Sequence, residues 1–199
     1  MSKKEAMEAV ANEVKACRKC VLWRTRRNAV PGEGSLDASI LFVGEAPGYW
    51  EDVKGRPFVG AAGKLLDTLL AEINLSRSMV YITNVVKCRP PENRDPSPVE
   101  VETCTPYLNR QIKIIQPEII VTLGRHATSY VLSKAGLKEE VGITRLRGKV
   151  YSLKLLGLSV SALPMFHPAA VLHNPKYKDA LERDFHFLKS LVEKSRRGR

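Results

Sequence analysis

A buried strand that ends in a glycine-rich, acidic loop is the feature that most constrains this chain. Residues 39–43 are mostly apolar, with β-branched and aromatic side chains, which is typical of a strand inside a parallel sheet. Residues 44–48 have the sequence Gly-Glu-Ala-Pro-Gly, in which Gly permits close approach of a ligand and Pro lacks a backbone donor. Open α/β sheets bind ligands at the carboxyl ends of their central strands. The sequence therefore predicts an α/β fold with a ligand site around Glu45.

Further apolar runs alternate with helical patterns along the rest of the chain. Strands are predicted over residues 39–43, 80–85, 117–123 and 160–165, a short ribbon over 142–158, and helices over 5–16, 60–70, 98–115, 125–135 and 176–193. Four strands that alternate with helices indicate a three-layer α/β/α sandwich with a central four-stranded, largely parallel sheet. We expect one domain over residues 1–199, with a short basic tail from about residue 194.

The chain is strongly basic, with a formal net charge of +11. Only part of the excess lies in the last eleven residues, which hold five bases and one acid, so the body is basic too. Such a charge suits a polyanion such as nucleic acid, although a generically basic protein is the plainer interpretation. The sequence shows neither an apolar run of about 18 residues nor an apolar N-terminal signal region. We therefore expect a cytoplasmic protein with no membrane span.

One basic stretch contains an aromatic residue. Trp23 lies among five cations with no acid between them: Arg18, Lys19, Arg24, Arg26 and Arg27. Cations combined with an aromatic ring suit a surface that contacts phosphates, and we predict DNA contacts here. The alternative is a solvated loop anchored by one tryptophan.

The chain has four cysteines, Cys17, Cys20, Cys88 and Cys104. Two residues separate Cys17 from Cys20, a spacing that lets two thiolates reach one metal or cluster. Fifteen residues separate Cys88 from Cys104, which is too wide for a second zinc-ribbon knuckle. If folding joins the two pairs, zinc and an iron–sulfur cluster are both compatible with four thiolates. Disulfides or free thiols also remain open.

Polar side chains follow three of the predicted strands. Glu45, Asn84 and His167 offer an acceptor, an amide and a donor, and Phe58 could stack on a flat group. This set suits a planar heterocycle recognised along its edge, as enzymes recognise a base extruded from DNA. Residues 60–65 do not match a phosphate loop, because two residues instead of four separate the glycines.

Four motifs together resemble one known family. They are Gly-Glu-Ala-Pro-Gly at 44–48, Gly-Arg-Pro-Phe-Val-Gly at 55–60, Thr-Asn-Val-Val-Lys-Cys at 83–88 and His-Pro-Ala-Ala at 167–170. With the four cysteines, these segments are similar to family-four uracil-DNA glycosylases, the thermostable iron–sulfur class, over roughly residues 10–190. The resemblance implies an α/β/α fold, removal of uracil from DNA to leave an abasic site, and a [4Fe-4S] cluster. It also implies single- or double-stranded DNA containing uracil as the partner; we expect a monomer, and a sliding-clamp partner is left open.

The resemblance also implies roles for residues that match the family's motifs. The implied uracil contacts are Gly44, Glu45, Ala46, Phe58, Asn84 and His167, and the implied cluster ligands are Cys17, Cys20, Cys88 and Cys104. Glu45 and His167 are the expected catalytic residues, with His167 as donor to uracil O2 and Asn84 as the reader of N3 and O4. Val171 or Leu172, in a predicted loop over residues 169–174, would fill the gap left in the duplex.

One position departs from the best-known uracil-DNA glycosylase family. That family has an Asp that orients the attacking water where this chain has Ala46. Glu45, Glu51, Asp52 or a main-chain carbonyl could take over that task. Two alternatives of other classes stay open: a non-catalytic basic nucleic-acid-binding protein with a structural zinc site, and a redox iron–sulfur enzyme. A uracil-release assay separates the first of these from the glycosylase.

Overall fold

The computed structural model describes residues 1–137 and 142–197, with side chains up to residue 195. Within these ranges the α-helices are α1 (Lys3–Ala16), α2 (Tyr49–Lys54), α3 (Ala61–Glu72), α4 (Pro98–Ile115), α5 (Arg125–Lys134), α6 (Ile143–Leu146), α7 (Pro168–His173) and α8 (Lys178–Arg197). The strands are β1 (Glu33–Gly34), β2 (Ile40–Gly44), β3 (Tyr81–Asn84), β4 (Ile119–Leu123), β5 (Tyr151–Leu155) and β6 (Leu158–Met165). Short 3-10 helices cover Val21–Arg24, Arg77–Met79, Pro91–Asn93 and Pro175–Tyr177.

The strands form one sheet in the order β1-β3-β2-β4-β6-β5. The four central strands, β3, β2, β4 and β6, are parallel, which confirms the predicted core of the fold. The sheet is nevertheless larger than predicted, because β1 and β5 add antiparallel edges. The predicted ribbon over 142–158 is only partly correct: its strand begins at Tyr151, and α6 occupies Ile143–Leu146.

Alternate residues of β2 explain the three layers. Leu41 and Val43 belong to one hydrophobic cluster, with side chains of α1, α4 and α5. Ile40 and Phe42 belong to a second cluster, with side chains of α3 and α8. Because successive side chains of a strand point to opposite faces, one wholly buried strand supplies both cores. The helices therefore cover both faces, as the continuous apolar pattern predicts.

Helix α4 begins at residue 98 as predicted; Ser97 is its N-cap, Pro98 is at its first position and Glu100 completes a capping box. Three local predictions need correction. Helix α2 is not among the predicted helices, the loop predicted over residues 169–174 is mostly α7, and α8 continues through Arg197 into the predicted basic tail. None of the described helices combines the length and apolar character needed to cross a bilayer.

Candidate active site

Four of the residues predicted to bind the ligand lie together where the parallel strands end. Gly44 pairs with Asn84 in adjacent strands, and a Cβ on Gly44 would collide with Asn84 Oδ1 and with the ring of Phe58. The rings of Phe58 and His167 are stacked, with centroids 5.5 Å apart and planes 26° apart. Gly44 is therefore required for space, because any side chain there would overlap Asn84 and Phe58, which lie next to His167.

Asn84 has a buried side-chain acceptor without a hydrogen-bond partner among the described residues. Its side chain is buried, at 2 % exposure, yet Oδ1 has no hydrogen-bond partner among the described residues. Leaving a buried acceptor unpaired costs about 1–3 kcal/mol, so native proteins rarely tolerate it without a purpose. The amide is therefore available to a ligand that occupies the pocket. Lys87, wholly buried behind it, donates from Nζ to the main-chain oxygen of Asn84 at 2.8 Å and steadies that end of β3.

His167 is fixed in one tautomer by the helix that follows it. It is the N-cap of α7, and its Nδ1 accepts a hydrogen bond from the backbone N–H of Ala169 at 3.0 Å. Burial lowers the pKa of His167 to about 4, an effect partly opposed by Glu51. The imidazole is therefore neutral near pH 7 and carries its proton on Nε2, which makes Nε2 a hydrogen-bond donor.

Phe58 is held in a conformation that a non-glycine residue adopts at a cost. Its φ is 51°, in the left-handed region, and its ring is buried. Arg77 donates from Nη2 to the Phe58 carbonyl and from Nη1 to the Pro57 carbonyl at 2.9 Å. Gly63 lies against the Phe58 backbone so closely that a Cβ there would overlap it. The surroundings thus set the orientation of the aromatic ring before any ligand arrives.

Two of the three carboxylates that could position water each use one oxygen to hold the surrounding loops. Glu51 Oε1 accepts from the N–H groups of Val59 and Gly60, at 2.8 and 2.9 Å, and so ties down the loop that carries Phe58. Asp52 is buried, and its Oδ1 accepts from two backbone N–H groups of the 27–28 segment. Both residues therefore serve the loop structure, which leaves Glu45 as the carboxylate free to meet water.

Glu45 is half-buried beside a histidine that the sequence pattern did not single out. His126 Nε2, at the start of α5, lies 3.6 Å from Glu45 Oε2 and 3.2 Å from Asp95 Oδ2, without hydrogen-bond alignment to either. Burial raises the pKa of Glu45; His126 and Arg125 oppose the rise, and Asp95 adds to it. Ala46, the sixth predicted contact, is part-buried against the core and offers no side-chain base. Sequence periodicity gave no signal for His126 or Asp95, because they come from other elements.

The four cysteines line one cavity between the end of α1, the Val21–Arg24 turn, the segment after β3, and α4. All four are free thiols, and Cys88 and Cys104 are buried. Cys88 Sγ accepts from Arg26 Nη1 at 3.0 Å, and Cys104 Sγ accepts from the Lys87 backbone N–H at 3.2 Å. Burial raises the pKa of the Cys104 thiol to about 12 and also raises the pKa values of Cys20 and Cys88. Folding therefore brings the Cys17–Cys20 pair and the Cys88–Cys104 pair together around one cavity.

The predicted phosphate-contacting residues divide into two groups. Arg26 points inward, because it donates to Cys88 Sγ and also to the Lys15 carbonyl at 2.7 Å, so its prediction as a phosphate contact disagrees with the structure. The other four are exposed, and each lies over an aromatic ring: Arg18 and Arg24 over Trp23, Lys19 over Tyr107 and Arg27 over Tyr49. Their charges remain accessible to solvent.

The structure also separates the two predicted wedge residues. Val171 is only 6 % exposed and packs in the cluster that contains Phe58, so it cannot enter a duplex without leaving the core. Leu172 is 50 % exposed on α7, five residues after His167. The prediction that Val171 is the wedge is therefore wrong, and Leu172 is the remaining candidate for a wedge.

Comparison with known proteins places this site in a family. The model of the uracil DNA glycosylase superfamily matches residues 31–189, so the chain belongs to that superfamily. Curated relatives are more specific. The chain is 53 % identical to a type-4 uracil-DNA glycosylase of Saccharolobus solfataricus, over 94 % of this chain and 86 % of the relative. It is 54 % identical to a type-4 enzyme of Sulfurisphaera tokodaii over the same shares, and 51 % identical to one of Archaeoglobus fulgidus over 91 % and 90 %.

Proposed function

We propose that this chain is a DNA-repair glycosylase, which takes uracil out of DNA and hydrolyses the bond between uracil N1 and the sugar C1′. The observation that carries the proposal is the buried Asn84 amide, whose Oδ1 has no partner among the described residues and lies beside Gly44, near the stacked rings of Phe58 and His167. The test is release of uracil from an oligonucleotide with a single uracil, against a control with thymine at that position. A protein that binds DNA without releasing uracil would overturn the proposal.

Asn84 selects the base. Uracil presents an N3–H donor beside an O4 acceptor, so it can donate to Oδ1 and accept from Nδ2 of one fixed amide. Cytosine presents the opposite pattern and would leave both buried groups unpaired. A site that pairs a polar edge in this way can reject the wrong base by about 10⁴-fold. The Phe58 ring, which lies beside His167, would stack on the face of the base.

His167 stabilises the leaving group. As the C1′–N1 bond breaks, its electron pair moves onto uracil and negative charge develops at O2. The Nε2 proton of a neutral, pre-oriented His167 can donate to that oxygen, while Nδ1 is held by the Ala169 N–H. A donor that is already in place costs no reorganisation at the moment of reaction, which is why such groups are effective.

Glu45 orients the attacking water. Water adds to C1′ on the face opposite the departing base, and its proton passes to the Glu45 carboxylate. Glu51 and Asp52 are less suited to this task, because one oxygen of each carboxylate accepts two backbone N–H groups and holds the side chain in the loop structure. With Ala46 at the position of the usual Asp, Glu45 is the carboxylate in the site that combines partial burial with unoccupied oxygens.

The cysteine cavity fits a four-iron cluster. Cys17, Cys20, Cys88 and Cys104 would hold it, and four thiolates are the usual ligand set. A single tetrahedral zinc needs sulfurs about 3.8 Å apart, from Zn–S distances near 2.3 Å. Among the described residues, the group of metal-binding side chains whose donor atoms all lie within 4.8 Å is Glu45, Asp95 and His126, not the cysteines. The wider spread of sulfurs favours a polynuclear group, which when bound supplies a cross-link between the N-terminal segment and α4.

Cys88→Ser is expected to lose iron and to lower the melting temperature, because it removes one ligand of the cross-link beside the Asn84 strand. Iron, zinc and acid-labile sulfide in anaerobically purified protein, together with a thermal melt, are the measurements. Thr103→Ser is a matched control, since Thr103 lines the same cavity without a thiol and should retain the metal content of the parent. Stoichiometric zinc without iron in the parent protein would contradict the cluster.

Leu172→Ala is expected to slow excision from duplex DNA by roughly tenfold and to leave single-stranded DNA nearly unaffected. The reason is that extrusion from a duplex costs a few kcal/mol, part of which a wedge recovers by filling the gap. Single-turnover rates on the two substrates give the ratio of duplex to single-strand excision. Val171→Ala is the paired control, because loss of this core side chain should lower thermal stability without changing the ratio. Equal slowing on both substrates would exclude a wedge role for Leu172.

A further inference from the structure

Two aromatic side chains are exposed at the start of α2, immediately after the loop that carries Glu45. Tyr49 is 41 % exposed and Trp50 is 54 % exposed, and their rings meet edge to face with centroids 5.1 Å apart. Neither belongs to the hydrophobic clusters formed by the described residues. Exposed aromatic groups in contact with one another mark binding surfaces more often than isolated ones do. We call Tyr49 and Trp50 the aromatic platform.

The aromatic platform lies beside the loop that carries Phe58. A Cβ on Gly60 would lie 3.5 Å from Trp50 Cδ1, so the indole lies beside the loop that carries Phe58. Glu51, the next residue, fixes that loop by accepting from the N–H groups of Val59 and Gly60. The platform is therefore rigidly connected to the pocket in which the extruded base would stack.

Two guanidinium groups lie over the platform. Arg27 Cζ is 5.5 Å and Arg89 Cζ is 5.2 Å from the centroid of the Tyr49 ring. Arg89 donates from Nε to the neutral Asn93 side chain at 2.7 Å, and within the described ranges neither arginine has a carboxylate partner. Stacked arginines keep their N–H groups pointing sideways, where phosphate oxygens can accept from them. The platform thus combines flat apolar faces with two uncompensated positive charges.

We propose that the aromatic platform, with Arg27 and Arg89, binds a nucleotide next to the extruded uracil: an unstacked base lies on Trp50 and the adjacent phosphates contact the two arginines. The inference rests on the proposed function, which it extends by adding a contact outside the uracil pocket. The occupant is a polynucleotide and not an apolar protein surface, because two uncompensated cations would be costly to bury in an apolar interface.

The nature of the contact predicts its selectivity. Every base has a π face, so stacking on Trp50 tolerates any sequence. In an intact duplex, neighbouring bases stack on each other and are less available. The platform therefore favours single-stranded DNA and bases already unstacked by extrusion, and it contributes to binding even where no uracil is present.

The test measures binding to DNA that lacks uracil. Trp50→Ala is expected to weaken binding of a uracil-free single-stranded oligonucleotide by about 5- to 100-fold, the range for loss of one base–aromatic stack. Trp50→Phe should restore most of the affinity, because it keeps a flat ring. Arg89→Gln should reduce the slope of log affinity against log salt by about one. Phe187→Ala, which removes an exposed aromatic ring from α8, is the control and should bind like the parent.

A second measurement reports on the indole itself. The chain has two tryptophans, so in a Trp23→Phe background Trp50 is the sole tryptophan, and stacking of a base should quench its fluorescence on titration with the same oligonucleotide. Binding of Trp50→Ala within twofold of the parent, or unchanged Trp50 fluorescence at saturation, would overturn the proposal. Failure of the parent protein to release uracil would instead overturn the proposed function, and the binding result would stand independently as evidence for a single-strand contact.

Discussion

Asn84→Asp is expected to reduce uracil excision by about 10²- to 10⁴-fold, the loss of one or two buried hydrogen bonds partly to a charged transition state. The substitution keeps the shape of the side chain but replaces the Nδ2 donor, which would pair with uracil O4, by an oxygen. A carboxylate there repels O4 and can accept from the amino group of cytosine. We therefore expect weak cytosine excision to accompany the loss of uracil excision.

The measurement is single-turnover cleavage of matched oligonucleotides that carry U or C opposite G. His167→Ala serves as the comparison, because it should slow the reaction by a similar factor without altering the base preference, since both bases have O2. Asn84 Oδ1 has no partner within the described residues, so the variant loses no internal side-chain bond from that atom. Excision of uracil by Asn84→Asp at near the parent rate would show that another group reads the base.

The central sheet was predictable because its strands are buried on both faces and therefore stand out as continuous apolar runs. The edge strand β1 was not, because it spans only Glu33–Gly34 and is too short for any pattern. Helices α2 and α7 were hidden for a different reason. Each follows glycine or proline signals, and the predicted loop over residues 169–174 comes directly after Pro168, which occupies the first helical position, where proline is well tolerated.

The same contrast applies to the site. Asn84 and His167 were predictable because parallel strands deliver the residues at their ends to one edge of the sheet. His126 and Asp95 could not be found this way, since no spacing rule connects α5 and the loop after β3 with Glu45. The burial of Lys87 was also not predictable, because lysine is normally exposed. Its Nζ donates to Thr83, to Gln111 and to a main-chain carbonyl. Burial lowers the pKa of Lys87 to about 7.

Glu45→Gln is expected to lower the single-turnover rate by about 10²- to 10⁴-fold, the usual contribution of a positioned general base. The amide keeps the size of the side chain but cannot take the proton of the attacking water. In the parent protein only the ionised carboxylate is active, so the rate should fall as pH falls through the pKa of Glu45. Because burial raises that pKa, the fall should begin above the pH expected for an ordinary glutamate.

Substitutions of two neighbours of Glu45 are expected to move the pH–rate profile in opposite directions. His126→Gln removes the side chain that lowers the pKa of Glu45, so the acid limb of the pH–rate profile should move to higher pH. Asp95→Asn removes a negative charge that holds the same pKa up, so the limb should move to lower pH. If either residue had a purely structural role, its substitution would change the rate by the same factor at every pH. The midpoint of the acid limb would then stay in place. A profile whose acid limb survives unchanged in Glu45→Gln would show that another group takes the proton from water.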